Sequence, residues 1–211
     1  MGLGLNPFIS DTNNQISINY SIRNSLYFNR GLQKYSTTYT FAKTENKQQY
    51  SIGSQDTDIR YQQIDFQHKL GKFWLIDLQG KLSENNLETE NFNNRNYEIN
   101  TYAFQPKISY VLDNDNRFSA FYHVKDKKNN LSEFEKLKQQ KIGIEYFYQK
   151  KTTTQFNANF TTFFNDFDGN PNSPVGYQML EGLQEGTNYT WAFLWSKKIE
   201  HLSVSNSSPN A

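Results

Sequence analysis

The chain has 211 residues and a formal net charge of +1, so it lacks the basic excess that a nucleic-acid surface needs. It contains no cysteine, which excludes disulfides, thiolate metal sites and a cysteine nucleophile, and no apolar run approaches the length of a transmembrane helix. Aromatics make up 16% of the residues although the mean hydropathy is −0.84, a combination that argues against disorder and for apolar residues segregated onto one face.

The first alternation begins after Gln15: Ile16, Ile18, Tyr20 and Ile22 oppose Ser17, Asn19, Ser21 and Arg23. A second apolar group, Leu26 to Phe28, runs into a turn at Asn29-Arg30-Gly31. Thr37 to Lys43 reads as a strand, and Gln48 to Ser54 as its short partner across Glu45-Asn46-Lys47. From Ile59 the pattern strengthens. Ile64, Phe66, His68 and Leu70 alternate with Gln63, Asp65, Gln67 and Lys69, and after a turn at Gly71, Trp74, Ile76, Leu78 and Leu82 alternate with Asp77, Gln79 and Lys81. A polar segment from Glu84 to Arg95 follows. Tyr102, Phe104, Ile108 and Tyr110 then oppose Thr101, Gln105, Lys107 and Ser109, and a turn at 113–116 leads to Phe118, Ala120, Tyr122 and Val124, which oppose Arg117, Ser119, His123 and Lys125. Pro106 cannot donate to a sheet ladder, so it implies a bulge or a local edge.

After a second polar segment, Asp126 to Lys136, comes the clearest hairpin. Ile142, Ile144, Tyr146 and Tyr148 face one way and Gly143, Glu145, Phe147 and Gln149 the other. Beyond a turn at 149–152, Thr154, Phe156, Ala158, Phe160, Thr162 and Phe164 share one face. A third polar segment, Asn165 to Pro174, precedes a strand expected over about Val175 to Leu183; Gln184-Glu185-Gly186 turns it into a last strand in which Tyr189, Trp191, Phe193 and Trp195 share a face.

Two features set the fold class. The strands exceed the usual five or six residues and match the roughly 9–11 that a tilted strand needs to cross a bilayer. From Ile59 onward short and long connections alternate, as in outer-membrane barrels with short periplasmic turns and longer external loops. The expectation is an all-β antiparallel meander of about ten to twelve long strands, an outer-membrane β-barrel or a truncated part of one. Residues 1–211 form one domain, with irregular ends at 1–14 and 200–211. The N-terminus lacks the basic start and apolar core of a signal peptide, which suggests a piece of a larger protein.

Trp74, Tyr110, Phe118, Tyr146 and Tyr148 lie near short turns on the apolar side, where an aromatic girdle belongs. Asp65, Lys69, Asp77, Lys81, Lys107, Arg117, Lys125 and Glu145 fall on the opposite face, as a lumen lining or as plain cross-strand pairs in a wet interior. His68, His123 and His201 lack the spacing of a metal site, and Asp113/Asp115 and Asp166/Asp168 read as turn residues. No catalytic motif appears, so neither enzyme activity nor a cofactor is expected.

Three stretches, Tyr27-Phe28-Asn29-Arg30-Gly31, Arg95-Asn96-Tyr97-Glu98-Ile99 and Tyr177 through Trp191, resemble the C-terminal part of large, mostly uncharacterised outer-membrane proteins of Bacteroidota. The resemblance implies a barrel in the bacterial outer membrane, with lipid and other barrel strands or outer-membrane proteins as candidate partners, and brings no site residues. In such proteins the chain ends in an apolar, aromatic strand; here Leu202 to Ala211 is polar and contains Pro209, which suggests a truncated segment. The function expected is structural or transport-related. The alternative is a soluble, secreted or cell-surface β-sandwich or curved-sheet module that binds a glycan or a partner protein and buries the same apolar face against a second layer.

Overall fold

A computed structural model describes residues 8–12, 15–30, 33–51, 53–113, 116–131, 135–150, 154–199 and 202–210. Eleven strands follow one another in chain order across a single antiparallel sheet: β1 (Phe8–Thr12), β2 (Gln15–Arg30), β3 (Gln33–Tyr50), β4 (Gly53–Leu70), β5 (Trp74–Thr89), β6 (Tyr97–Asp113), β7 (Asn116–Asn129), β8 (Lys136–Lys150), β9 (Thr154–Asp168), β10 (Gly186–Ile199) and β11 (Leu202–Asn210). Each pairs only with its sequence neighbours, so among the described residues β1 and β11 are edges and the sheet is open. These two strands lie in the terminal stretches where irregular structure was expected; a sheet edge offers backbone partners whatever the side chains are.

One end of the sheet carries the tight connections 31–32, 71–73, 114–115, 151–153 and 200–201, and the other end the longer ones at 90–96, 130–135 and 169–185. The strands outrun the sequence reading. β2 runs unbroken through the expected break before Leu26, and β3 runs through Glu45-Asn46-Lys47, where a turn was expected; these residues pair with Ile18, Ser17 and Ile16 on one side and with Asp58, Thr57 and Asp56 on the other. Likewise β5 continues to Thr89, β7 to Asn129 and β9 to Asp168, into segments that read as polar loops. Pro106 does not cause a bulge. It pairs with Leu78, and although its ladder to β7 is interrupted, the register is the same on either side; the register shift falls between Val111 and Asp113.

The larger correction lies between β9 and β10. The strand expected over Val175 to Leu183 is an α-helix, α1 (Pro174–Leu180). Ser173 is its N-cap, its Oγ accepting from the Gly176 amide at 2.8 Å, and Pro174 supplies a preset φ at the first position. Glu181 ends it in the left-handed region at φ 55°, followed by Gly182 at φ 79°. Val175, Met179 and Leu180 face the sheet and pack with Ile99, Leu137 and Phe167 in a hydrophobic core, with Tyr97 against its side. Seven residues make no stable helix in water. Burial of these three side chains, roughly 1.5–3 kcal/mol each, holds α1 to the sheet.

Candidate functional interior and membrane surface

Directly opposed residues in an antiparallel ladder share a face, so the register assigns every side chain. On one face, a row close to the tight turns is Trp74, Tyr110, Phe118, Tyr146, Ala158 and Phe193, and Tyr148, Phe156 and Trp195 form the row beyond it on β8 to β10. The Trp74 and Tyr110 rings lie 4.9 Å apart, Tyr146 lies 6.0 Å from Phe156, and Phe156 itself pairs with Tyr148. All five girdle candidates therefore stand together at one end of one face. His68 shares this face, stacked on Tyr35 at 4.2 Å. The next row on the face holds Ile76, Ile108, Ala120, Ile144 and Phe160, and the row after it Tyr122 and Ile142; the large side chains Ile108, Ile142, Ile144 and Phe160 are exposed.

This apolar face ends within a zone about two rows of the register deep, from Ile142 on β8 to Leu82 and Tyr102 on β5 and β6. Above Leu82 stand Glu84, Asn86 and Glu88; above Tyr102, Asn100 and Glu98; above Val124, Asp126 and Lys128; above Phe164, Asp166 and Asp168. Beyond this zone the side chains pair by charge. Lys47 meets Asp56 at 3.2 Å, Lys43 meets Asp58 at 3.4 Å, Arg60 meets Glu84 at 3.3 Å, and Lys138 and Lys136 stand opposite Asp166 and Asp168. From Trp74 to Leu82 the band is about 27 Å along β5, or about 19–22 Å in height at a tilt of 35–45°.

The other face is mostly polar, apart from the apolar patch under α1 and scattered rings such as Phe121, Phe147 and Phe163, and holds all eight lining candidates. Asp65 accepts from Gln63 and from Gln79 at 2.8 Å, and Asp77 from Gln67 at 2.7 Å. Lys107 bridges to Glu145 across β7. Lys81 lies over the Tyr61 ring and Arg117 over Phe147, at 4.9 and 5.6 Å from the ring centres. Lys125 meets Glu181 at 2.7 Å, and Lys69 is exposed near the tight turns. A cleft of about 400 Å³ spans β2 to β6 on this face, lined by Arg23, Thr38, Asp65, Gln67, Asp77 and Lys107 among others. His123 shares the face, its Nδ1 3.0 Å from Gln105 Oε1. His201 and the turn residues 114–115 and 151–153 lie outside the described residues.

Several residues that organise this face were not singled out in the sequence. Lys127, 7% exposed, donates to the carbonyls of Met179 at 2.9 Å and Gln178 at 3.3 Å and meets Glu181 at 2.7 Å, so it caps the C-terminus of α1 from the sheet. Burial pushes its ammonium down from its usual value, while Glu181 works against that shift. Burial also pushes the Glu181 carboxyl up, but hydrogen bonds and charge from Lys125 and Lys127 outweigh it and hold the group below 4.5. Gln139 donates to Asn165 at 2.9 Å, and Asn165 donates to the Gln184 carbonyl at 2.8 Å, tying the descending limb of the connection to the same face. Lys127 stands two places from Lys125 and so shares its face; reading 126–136 as a loop hid it.

No family model matches the chain and no curated protein sequence matches it. Among solved structures, the chain is similar to outer-membrane-expressed OmpT of Vibrio cholerae, with a TM-score of 0.50 and 11% identity over 88% of this chain and 61% of that one. The chain thus spans about three fifths of the length of that OmpT. It also aligns with the β domain of the Bordetella autotransporter Brka (TM-score 0.38, 8% identity, 99% of this chain and 90% of that one) and with the translocator domain of the autotransporter NalP from Neisseria meningitidis (0.35, 8%, 98% and 80%). The sheet has the fold of an outer-membrane β-barrel, in open form.

Proposed function

We propose that this chain is a segment of a β-barrel of the bacterial outer membrane with a structural or transport role and no catalytic activity. The observation that carries the reading is the narrow zone, about two rows of the register deep, in which one face turns from apolar to polar and charged in β4 through β9. A height of about 19–22 Å is near the roughly 25 Å lipid-facing band of such barrels. In this reading Trp74, Tyr110, Phe118, Tyr146 and Tyr148 form the girdle at the tight-turn rim. Asp65, Lys69, Asp77, Lys81, Lys107, Arg117, Lys125 and Glu145 line the interior. Strand beyond the band stands outside the bilayer, and α1 folds inward over the interior at the loop end. The free edges of β1 and β11 pair with each other or with further strands, because lipid cannot satisfy open backbone groups. The three stretches that resemble large Bacteroidota outer-membrane proteins support placing the segment in such a protein.

The test is refolding of the purified chain with and without lipid vesicles, followed by far-UV circular dichroism and comparison of unheated with boiled samples on a gel. A β-spectrum that needs lipid, with a heat-modifiable band, is the expected result. A folded monomer in plain buffer overturns the reading.

A further inference from the structure

The polar face beneath α1 carries more positive charge than its neighbours on the sheet neutralise. Lys125 and Lys127 occupy successive inward positions of β7, and Lys141 stands on β8 directly opposite His123, the inward residue before Lys125. The residues flanking them in register are neutral: Thr101, Ala103 and Gln105 on β6, and Leu137 and Gln139 on β8. Phe163 of β9 stands beyond Lys141, whose ammonium lies 5.0 Å from that ring's centre and 5.3 Å from that of Phe121. Lys81 adds a further cation in the row of Lys125, across Ala103. Glu145, the nearest carboxylate on β8, is engaged by Lys107.

The carboxylate that meets this cluster comes from α1. Glu181 reaches Lys125 with one oxygen and Lys127 with the other, each at 2.7 Å. It does so from a left-handed backbone conformation, φ 55°, unique among the described non-glycine residues. That conformation is unfavourable for a side chain of this kind, and the two ion pairs offset it. The geometry is that of an oxyanion held between ammonium groups, with Lys127 almost fully buried and its ammonium fixed by two helix carbonyls.

We propose that Lys125, Lys127 and Lys141 form a binding site for a small oxyanion, a carboxylate or phosphate, inside the barrel, and that Glu181 occupies it as a tethered substitute which the solute displaces. The proposal names the solute class for the interior described above and rests on that reading. Entry of the solute releases the latch on α1, so binding and opening of the loop end are coupled.

The experiment uses the full chain refolded in detergent, or in plain buffer should it fold there, titrated with inorganic phosphate and with citrate at constant ionic strength and neutral pH. Removing a tethered competitor raises affinity, so Glu181→Gln binds both anions about tenfold more tightly than the unaltered chain. In the double variant Glu181→Gln with Lys141→Gln the gain is lost. A second measurement needs no substitution: phosphate at fixed ionic strength speeds amide hydrogen exchange in 174–183 of the unaltered chain, and chloride does not. Equal affinities in the unaltered chain and Glu181→Gln, a gain that survives Lys141→Gln, or exchange indifferent to phosphate overturns the proposal. Folding in plain buffer with the anion effects intact overturns the barrel and leaves the site.

Discussion

Ile144 offers the sharpest test of which face meets lipid. It lies on β8 in the row of Ile108, Ala120 and Phe160, and its side chain is 46% exposed. Along β8 it stands four residues from Tyr148, at the tight-turn rim, and four from Gln140, where the face turns polar. Each step covers about 3.4 Å, so Ile144 is about 13 Å along the strand from either limit and at the centre of the band. An arginine on the lipid face costs about 2–4 kcal/mol at the bilayer midplane and about 0–1 near the interfaces. Ile144→Arg therefore loses about 2–4 kcal/mol of folding free energy in vesicles, some 30- to 1000-fold in the equilibrium. Asn86→Arg, on the same face of β5 beyond the band, loses less than about 1 kcal/mol. Urea titrations of the two variants and the unaltered chain in the same vesicles measure both values. Equal losses at the two positions, or an Ile144→Arg chain that folds as well as the original, refute the lipid-facing assignment.

Gly143 and Phe121 are cross-strand partners on the polar face, and a methyl group at Gly143 meets the Phe121 ring head-on. Gly143→Ala is expected to lose about 1–3 kcal/mol, and adding Phe121→Ala recovers most of it, as a double-mutant cycle in detergent will read. Lys127→Ala strands the carbonyls of Gln178 and Met179 and costs about 1–3 kcal/mol, seen first as faster proteolysis within 169–185. The latch is acid-sensitive. The folded Glu181 carboxyl titrates below its unfolded value near 4.5, so its stabilisation is complete above that pH and is lost as the pH falls through the lower, folded value. Amide exchange in α1 accelerates over that acid window in the unaltered chain, whereas Glu181→Gln shows fast exchange already at neutral pH; identical pH profiles for the two chains contradict the assignment.

The alternation matches the faces of the register over 64–82, 101–125, 142–164 and 189–195, because in those stretches one side of the sheet is apolar and the other mostly polar. The reading failed where that constraint ends. Beyond the band both faces are hydrated, so Glu84 to Thr89 and Asp126 to Asn129 lose their period and read as loop, although the ladder of backbone hydrogen bonds continues through them. The same blurring hid Phe167, whose apolar ring among Asp166 and Asp168 marks contact with α1 rather than a chance residue in a polar turn. For α1 the signals were present: Ser173 before Pro174 is a helix start, and Val175 with Met179 has helical spacing. A strand assignment seemed natural because every neighbouring segment was one. The tether of Glu181 to Lys125 and Lys127 was not legible at all, since it joins residues more than fifty places apart through a helix whose position depends on the core.

The polar mean hydropathy of −0.84 has a geometric cause. In β5, five of sixteen residues, Trp74, Ile76, Leu78, Gly80 and Leu82, stand on the apolar face within the band; the others face the interior or lie beyond it. Among the described residues only Ile99, Leu137, Phe167, Val175, Met179 and Leu180 form a buried hydrophobic core, and all six sit at the loop end. Among the described residues no second layer covers the band, and in the proposed barrel its side chains rest against lipid. The loop end, by contrast, carries its own core and its own ion pairs and stays packed where both faces are wet. In the proposed barrel, stability is divided along the strand axis: lipid acts on the half next to the tight turns, and α1 on the half next to the loops. Changes at Ile144 should therefore be felt only when a bilayer is present, while those at Lys127 and Glu181 should be felt in detergent and bilayer alike.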